Sequence, residues 1–230
     1  MNISVVIPVK NEQENVKILT IEIEEALTPT KIPFEIIYVD DGSTDETYNE
    51  LSKLSVKTIR HKFSYGQSQA IHTGIKQAKY NYIVTLDGDG QNNPADIPKL
   101  IKVYKNNKFF GFVMGERQKR QDNLLRKISS RVANKIRGWM LKDNAKDSGC
   151  GLKMAPKEIW LSLPYFDHMH RFMPSLVKRE GLEIEFVPVS HRPRERGESK
   201  YGVLNRLFVG IYDLFGIVWL IRRKKKVELK

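Results

Sequence analysis

Three apolar runs in the first hundred residues each end in a cluster of acidic, amide and glycine residues, and no other feature restricts the fold as much. Residues 3–8 lead to Lys10-Asn11-Glu12, residues 34–39 to Asp40-Asp41-Gly42-Ser43-Thr44-Asp45, and residues 82–86 to Asp87-Gly88-Asp89-Gly90-Gln91. Between them lie stretches with apolar residues at helical spacing. Val16, Leu19, Ile23, Ala26 and Leu27 predict a helix over 15–27, and two more are expected over 47–54 and 68–79, with a short strand at 56–59. Strand–helix alternation needs crossover connections, so the expectation is an α/β fold around a parallel sheet. Ligands of such sheets bind beyond the carboxyl ends of the strands, which puts the three polar clusters on one rim. Any one cluster alone reads equally well as a turn; three in register do not.

Asp87 and Asp89 stand one residue apart at the end of a strand pattern. When ionised they repel each other unless a cation lies between them. A hard cation with oxygen ligands and open positions is also what holds a diphosphate, so the first chemical reading is a metal-diphosphate site. Beyond Pro94 a helix is expected over 97–104 and a strand over 109–114, followed by Gly115-Glu116-Arg117. A further helix is expected over 123–141. Leu124, Leu125, Ile128, Val132, Ile136 and Met140 mark its apolar face, and Arg126, Lys127, Arg131, Lys135 and Arg137 occupy much of the remainder.

A chain of 230 residues can bury the core of one large domain. Its single cysteine, Cys150, excludes internal disulfides and multi-cysteine zinc sites, and reads as a buried packing residue. Residues 1–8 carry no basic leader and too short an apolar run for a signal peptide, so a cytoplasmic location is expected. The net charge of +12 is unevenly placed. Residues 1–100 hold ten Lys/Arg against fourteen Asp/Glu, residues 117–146 ten against two, and residues 191–230 eleven against four. The basic half therefore calls for an anionic partner: nucleic acid, an anionic bilayer or a phosphorylated substrate. The acidic N-terminal half and the lack of an RNA-binding motif with paired aromatics argue against nucleic acid. His168 and His170 flank Met169 without an evident third ligand, and read as ordinary histidines rather than a metal site.

Taken in order, these motifs resemble those of the family 2 glycosyltransferases. The matching segments are Val5-Val6-Ile7-Pro8-Val9-Lys10-Asn11-Glu12, Val39-Asp40-Asp41-Gly42-Ser43-Thr44-Asp45, Phe63-Ser64-Tyr65-Gly66-Gln67-Ser68-Gln69-Ala70 and Leu86-Asp87-Gly88-Asp89-Gly90-Gln91. Gly115-Glu116-Arg117, Asp147-Ser148-Gly149-Cys150-Gly151-Leu152-Lys153 and the run from His191 to Gly202 resemble the polyprenyl-phosphate sugar transferases, the group typified by dolichyl-phosphate mannose synthase. The resemblance covers the chain to about Gly202. Gly90 stands where many relatives carry leucine, which leaves the chelating side chains unchanged.

The resemblance implies a GT-A fold, a Rossmann-like nucleotide-diphospho-sugar transferase with a mostly parallel central sheet and C-terminal interfacial helices. It implies an inverting transfer of one sugar from a GDP- or UDP-linked donor to dolichyl or undecaprenyl phosphate. Pro8, Glu12, Asp40 and Asp87 match donor-nucleotide positions; Asp87, Asp89 and Gln91 match ligands of Mg²⁺ or Mn²⁺. Arg117 and Arg131, with Arg196, Ser199 and Lys200, match acceptor-phosphate positions, and Arg192 and Arg194 are weaker candidates. Asp89, Arg117 and Arg131 form the implied catalytic set, with Asp147 ordering the arginines. An acceptor phosphate is already anionic, so a strong general base is less necessary than for a hydroxyl acceptor.

Residues 207–221 are nearly all apolar, interrupted by Asp213 and followed by Arg222-Arg223-Lys224-Lys225-Lys226. Fifteen residues fall short of the roughly 20 needed to cross a bilayer. The expected division is a catalytic domain over 1–202 and a membrane-interface tail over 203–230, with Tyr212 and Trp219 at headgroup level and the basic cluster on anionic lipid. The alternative is a core helix with a solvated basic end. A peripheral protein on the cytosolic face, alone or docked on a membrane-protein partner, is the expectation. Two other functions compete: transfer to a saccharide or protein hydroxyl, and a non-enzymatic basic membrane or nucleic-acid binder.

Overall fold

The computed structural model describes residues 1–107, 111–118, 138, 140, 141, 143, 145–193 and 203–224, with backbone only at 106, 107 and 203–209. Seven strands and seven α-helices follow one another in these residues: β1 (Ile3–Val9), α1 (Val16–Leu27), β2 (Phe34–Asp40), α2 (Thr47–Ser52), β3 (Lys57–Arg60), α3 (Gln67–Gln77), β4 (Tyr82–Thr85), α4 (Ile97–Asn107), β5 (Gly111–Arg117), β6 (Lys153–Pro156), α5 (Lys157–Ser162), α6 (Met173–Arg179), β7 (Glu183–Val189) and α7 (Val203–Arg222). The strands form one sheet in the order β3-β2-β1-β4-β6-β5-β7. Only β6 runs antiparallel to its neighbours.

The central strands are apolar on both faces, as a sheet covered by helices on each side requires. Alternation divides their side chains between two cores. Val5, Ile7, Ile36, Tyr38 and Val84 face one, against Leu19, Ile23 and Leu27 of α1 and Ile97 and Leu100 of α4. Val6, Ile37, Val39 and Ile83 face the other, against Ala70 and Ile75 of α3, Ile159 and Trp160 of α5, and Leu176 of α6. The Tyr38 hydroxyl is satisfied inside the first core by Thr20 Oγ1 at 2.9 Å and the Val16 carbonyl at 3.2 Å.

The expected helices over 15–27, 47–54, 68–79 and 97–104 and the strand at 56–59 are present within a few residues. The strand expected to stop at residue 114 extends through Arg117, which puts that side chain at a strand end. Strands β6 and β7 and helices α5 and α6 have no counterpart in the sequence reading. Most of the helix expected over 123–141 lies outside the described residues.

Helix α7 is packed along one side and open along the other. Ile217 is 1% exposed in the second core, and Leu214, Val218, Leu220 and Ile221 pack against that core half-buried. Arg179 Nε donates to the Leu220 carbonyl at 3.2 Å, and Lys224 pairs with Glu180 at 2.5 Å. Ile211, Tyr212, Phe215 and Trp219 face outward, Tyr212 with 82% of its surface exposed. Among the described residues no helix is long and apolar enough to cross a membrane. Ile217→Ala should cost about 2–4 kcal/mol by chemical denaturation, while Tyr212→Ala should stay within about 0.5 kcal/mol.

Candidate active site

The carboxyl ends of β1, β2 and β4 stand side by side, because Val6 pairs with Thr85 and Val9 with Asp40. At the β2 end, Asp40 is fully buried. It accepts the Ser43 amide at 2.8 Å through Oδ1, while Oδ2 makes no hydrogen bond and meets Arg60 Nε at 3.3 Å. Across from it, the Asn11 amide donates to Ser43 Oγ at 2.9 Å and the Glu12 amide to Thr47 Oγ1 at 2.7 Å, which holds the β1 loop against the β2 loop. Pro8, Glu12 and Asp40 are thus gathered on one stretch of rim.

Asp41, unassigned from sequence, organises the next loop. Its carboxylate takes His61 Nδ1 at 2.8 Å, Ser64 Oγ at 2.8 Å, the Tyr65 amide at 2.8 Å and the Gly66 amide at 2.9 Å. Burial acts against its ionisation, but these donors prevail and hold its carboxyl below the usual range. The Tyr65 and Gly66 amides lie just before α3, so Asp41 sets where that helix begins.

Asp87 is held from three directions. Gln67, the first residue of α3, donates Nε2 to its Oδ1 at 2.8 Å, and the Asp87 amide donates to Asn92 Oδ1 at 3.1 Å. From the segment before β6, Gly151 approaches so closely that a Cβ there would lie 2.3 Å from the Asp87 carboxyl. Gly88 lies equally tight against the β1 end, where a Cβ would meet the Pro8 carbonyl oxygen at 2.9 Å. Glycine is therefore a steric requirement on both sides of the carboxylate. Burial, and then the Asp89 charge, push the Asp87 carboxyl up to about 6.

Gln67, Asp87, Gln91, Arg117, Asp147, Lys153, His170 and Arg171 are among the residues around a cavity of about 480 Å³. Asp89 stands beside it, with Oδ1 accepting the Gln91 amide at 3.2 Å. Arg117 and Asp147 form a buried two-point pair, Nε to Oδ2 at 2.6 Å and Nη2 to Oδ1 at 2.7 Å, with side chains 11% and 6% exposed. This takes two of the five guanidinium N–H donors and fixes the plane in which the others point. Lys153 is buried, donates to the Cys150 carbonyl, and has its pKa lowered by that burial. Cys150 is 1% exposed with its thiol pushed up to about 11 by burial, as befits a packing residue.

Arg131, Arg196, Ser199 and Lys200 lie outside the described residues, as does Arg194. Arg192 is committed elsewhere, to Glu22 at 2.6 Å and Asn93 at 2.5 Å. Its amide also donates to the Gln91 carbonyl at 3.0 Å, so the segment leading to residue 194 is anchored beside the Asp87 loop. Gln67, Gly151 and Lys153 belong to the motifs that carry the family resemblance, which was the available signal for them. His170 read as an ordinary histidine, yet it lines the cavity.

Two carboxylates near a cavity, one of them resisting ionisation because of its burial and then the charge of the other, are what a divalent cation would relieve. No group of three or more His, Cys, Asp or Glu side chains suited to a metal occurs among the described residues. An ion held by Asp87 and Asp89 would take its remaining ligands from amide, water or diphosphate oxygens, which leaves open positions for a substrate.

A mostly parallel sheet with paired acids at the β4 end and an antiparallel β6 defines the GT-A class of glycosyltransferases. Solved structures with this fold include glucosyl-3-phosphoglycerate synthase from Mycobacterium tuberculosis with Mn²⁺, UDP and glucosyl-3-phosphoglycerate (TM-score 0.71, 16% identity, 96% of this chain and 79% of that one). Mannosyl-3-phosphoglycerate synthase from Rubrobacter xylanophilus superposes with TM-score 0.74 at 12% identity, over 100% of this chain and 77% of that one. The model of the family described as "Glycosyl transferase family 2" matches residues 4–160, and the chain belongs to that family.

Two of its most similar relatives act on polyprenyl phosphates by name. Dodecaprenyl-phosphate galacturonate synthase of Rhizobium johnstonii is 34% identical over 98% of this chain and 69% of its own length. Undecaprenyl-phosphate 4-deoxy-4-formamido-L-arabinose transferase of Yersinia enterocolitica is 34% identical over 92% of this chain and 66% of its own. The chain thus spans about two thirds of the curated relatives it matches.

The Asp87 shift has a consequence for stability. A carboxyl whose folded pKa lies above its unfolded value favours the fold while protonated, and loses that contribution as pH rises through about 6. Without divalent cation, Asp87→Asn should therefore gain on wild type near pH 7.5, by at most about 3 kcal/mol, with the gain vanishing toward about pH 4. Mn²⁺ should raise the Tm of wild type and leave that of Asp87→Asn nearly unchanged.

Proposed function

We propose that the protein transfers one sugar, with inversion at the anomeric carbon, from a nucleotide-sugar to a polyprenyl phosphate. The observation that carries this reading is the shared cavity, lined both by Asp87 and Gln91 and by the Arg117–Asp147 pair. The acid and amide suit a cation-bound diphosphate, and the arginine a second phosphate. The names of the relatives support the same acceptor class.

In this reading Pro8, Glu12 and Asp40 hold the donor's base and ribose, and Asp40 keeps one carboxylate oxygen without a hydrogen bond. Asp87, Asp89 and Gln91 hold Mg²⁺ or Mn²⁺, which when bound offsets charge developing on the nucleoside-diphosphate leaving group. Arg117 presents its remaining N–H donors to the acceptor phosphate in a plane set by Asp147, joined by Arg131 and by Arg196, Ser199 and Lys200. An acceptor phosphate oxygen attacks the anomeric carbon as the bond to the diphosphate oxygen breaks. The electron pair leaves with the nucleoside diphosphate, and no proton has to be removed from the acceptor. The work of the site is to hold two anions close together and in line.

A lipid-linked phosphate lies at a membrane surface. The outward face of α7, with Tyr212, Phe215 and Trp219 beside Arg222 and Arg223, is the surface we assign to that contact on the cytosolic leaflet, alone or beside a membrane-protein partner.

Nucleotide-sugars offered with Mn²⁺ or Mg²⁺ and undecaprenyl or dolichyl phosphate should yield a glycosylated lipid phosphate by mass. Asp89→Ala and excess EDTA should each abolish it; transfer that persists in EDTA, or that goes only to hydroxyl acceptors, refutes the reading. In flotation with anionic vesicles, replacing Tyr212, Phe215 and Trp219 together by Ser should release about tenfold more protein from the lipid fraction, given the apolar area removed. Equal flotation would remove α7 from the membrane contact.

A further inference from the structure

The turn Met169–Arg171 contributes a wall of the cavity that the scheme above leaves without a task. It enters through His168, a non-glycine residue in the left-handed region at φ 63°, and the Ser68 hydroxyl of α3 is bonded to it. Ser68 Oγ accepts the His170 amide at 3.3 Å and lies 2.8 Å from His170 Nδ1. Among the described residues Ser68 Oγ has no other partner. Donation of its one proton to Nδ1 places the ring proton of a neutral His170 on Nε2. Burial and the charges of Arg171, Lys153 and His168 keep the ring neutral.

The neighbouring side chains are donors as well. Arg171 is half-buried and its guanidinium has no hydrogen-bond or ion-pair partner among the described residues. Lys153 is buried on the same cavity. None of the described acids nearby hydrogen-bonds to Arg171: Asp147 is joined to Arg117 by both oxygens, Asp87 is held by Gln67, and Asp213, which pairs with His168 at 3.3 Å, acts on Arg171 only as a charge through space. A half-buried guanidinium that no carboxylate meets in a hydrogen bond among the described residues, beside an imidazole N–H, is arranged for an acceptor-only ligand.

We propose that Arg171, positioned through the Ser68–His170 contact, is a substrate-binding residue for a phosphate group in this cavity, separate from the Arg117–Asp147 pair. This rests on the function proposed above, in which two phosphates enter the cavity. The shared chemistry is an anionic phosphate oxygen; its source is either the diphosphate of the donor or the acceptor phosphate. Arg171 would add a fixed positive charge where the leaving group, or the nucleophile, carries its negative charge.

The test is Arg171→Gln beside Arg171→Lys, read by calorimetric binding of UDP and GDP with and without Mn²⁺, and by separate KM values for nucleotide-sugar and polyprenyl phosphate. A loss of about tenfold or more in nucleoside-diphosphate affinity assigns Arg171 to the donor. An equal rise in acceptor KM, with that affinity unchanged, assigns it to the acceptor. In either case Lys should recover part of the loss, since charge is kept while the fork is not. Unchanged affinity and unchanged KM values in both variants, or a lowered Tm as the only effect, overturn the proposal. Binding of the nucleoside diphosphate does not depend on the acceptor. If wild type binds UDP or GDP but glycosylates no polyprenyl phosphate, the proposed function fails while the donor assignment of Arg171 is still decided.

Discussion

The arrangement of the site follows from keeping one carboxylate, Asp87, at the end of a central strand with another acid two residues away. Burial and like charge both disfavour its ionised form. The surrounding structure answers with position rather than with a direct ion pair. Gln67 donates to one oxygen, Asn92 takes the backbone amide, and Gly88 and Gly151 bring the chain in to contact distance on either side. What remains is a carboxylate of fixed orientation beside Asp89, which is what a divalent cation needs and what an unliganded fold tolerates with some loss of stability.

Strand β6 links that carboxylate to the basic half of the chain. It runs between β4 and β5 in the reverse direction, so the segment before it returns across the ends of both. Thr85 on β4 bonds the Gly151 carbonyl at 2.7 Å, and Asp147 reaches Arg117 at the end of β5. Residues 147–153 therefore touch the acidic centre at one end and hold an arginine at the other. Two sites of opposite charge share one cavity without their side chains neutralising each other directly.

Much of the N-terminal half was legible in the sequence. The alternation of apolar runs with helical spacing is a local signal, and it indicated the helices and the rim at Pro8, Asp40 and Asp87. The paired acids by themselves indicated a cation and a diphosphate. The second half was less legible for a physical reason. β6 is four residues long and begins with a lysine, and β7 alternates charged with apolar residues at a sheet edge, so neither carries the continuous apolar pattern of a central strand. His170 looked unremarkable because its partner, Ser68, is 102 residues away.

By itself the sequence determined the periodicities, the glycine and acid spacing at Asp87-Gly88-Asp89, and the opposite charges of the two halves, all of which are written in neighbouring residues. Tertiary structure alone decided that Gln67 orients Asp87, that Gly151 must lack a side chain, and that α7 buries Ile217 in the second core. Each of those depends on which distant segments the sheet order brings into contact. Local pattern can specify an element and its buried face, but only the packed fold selects the neighbour that face meets.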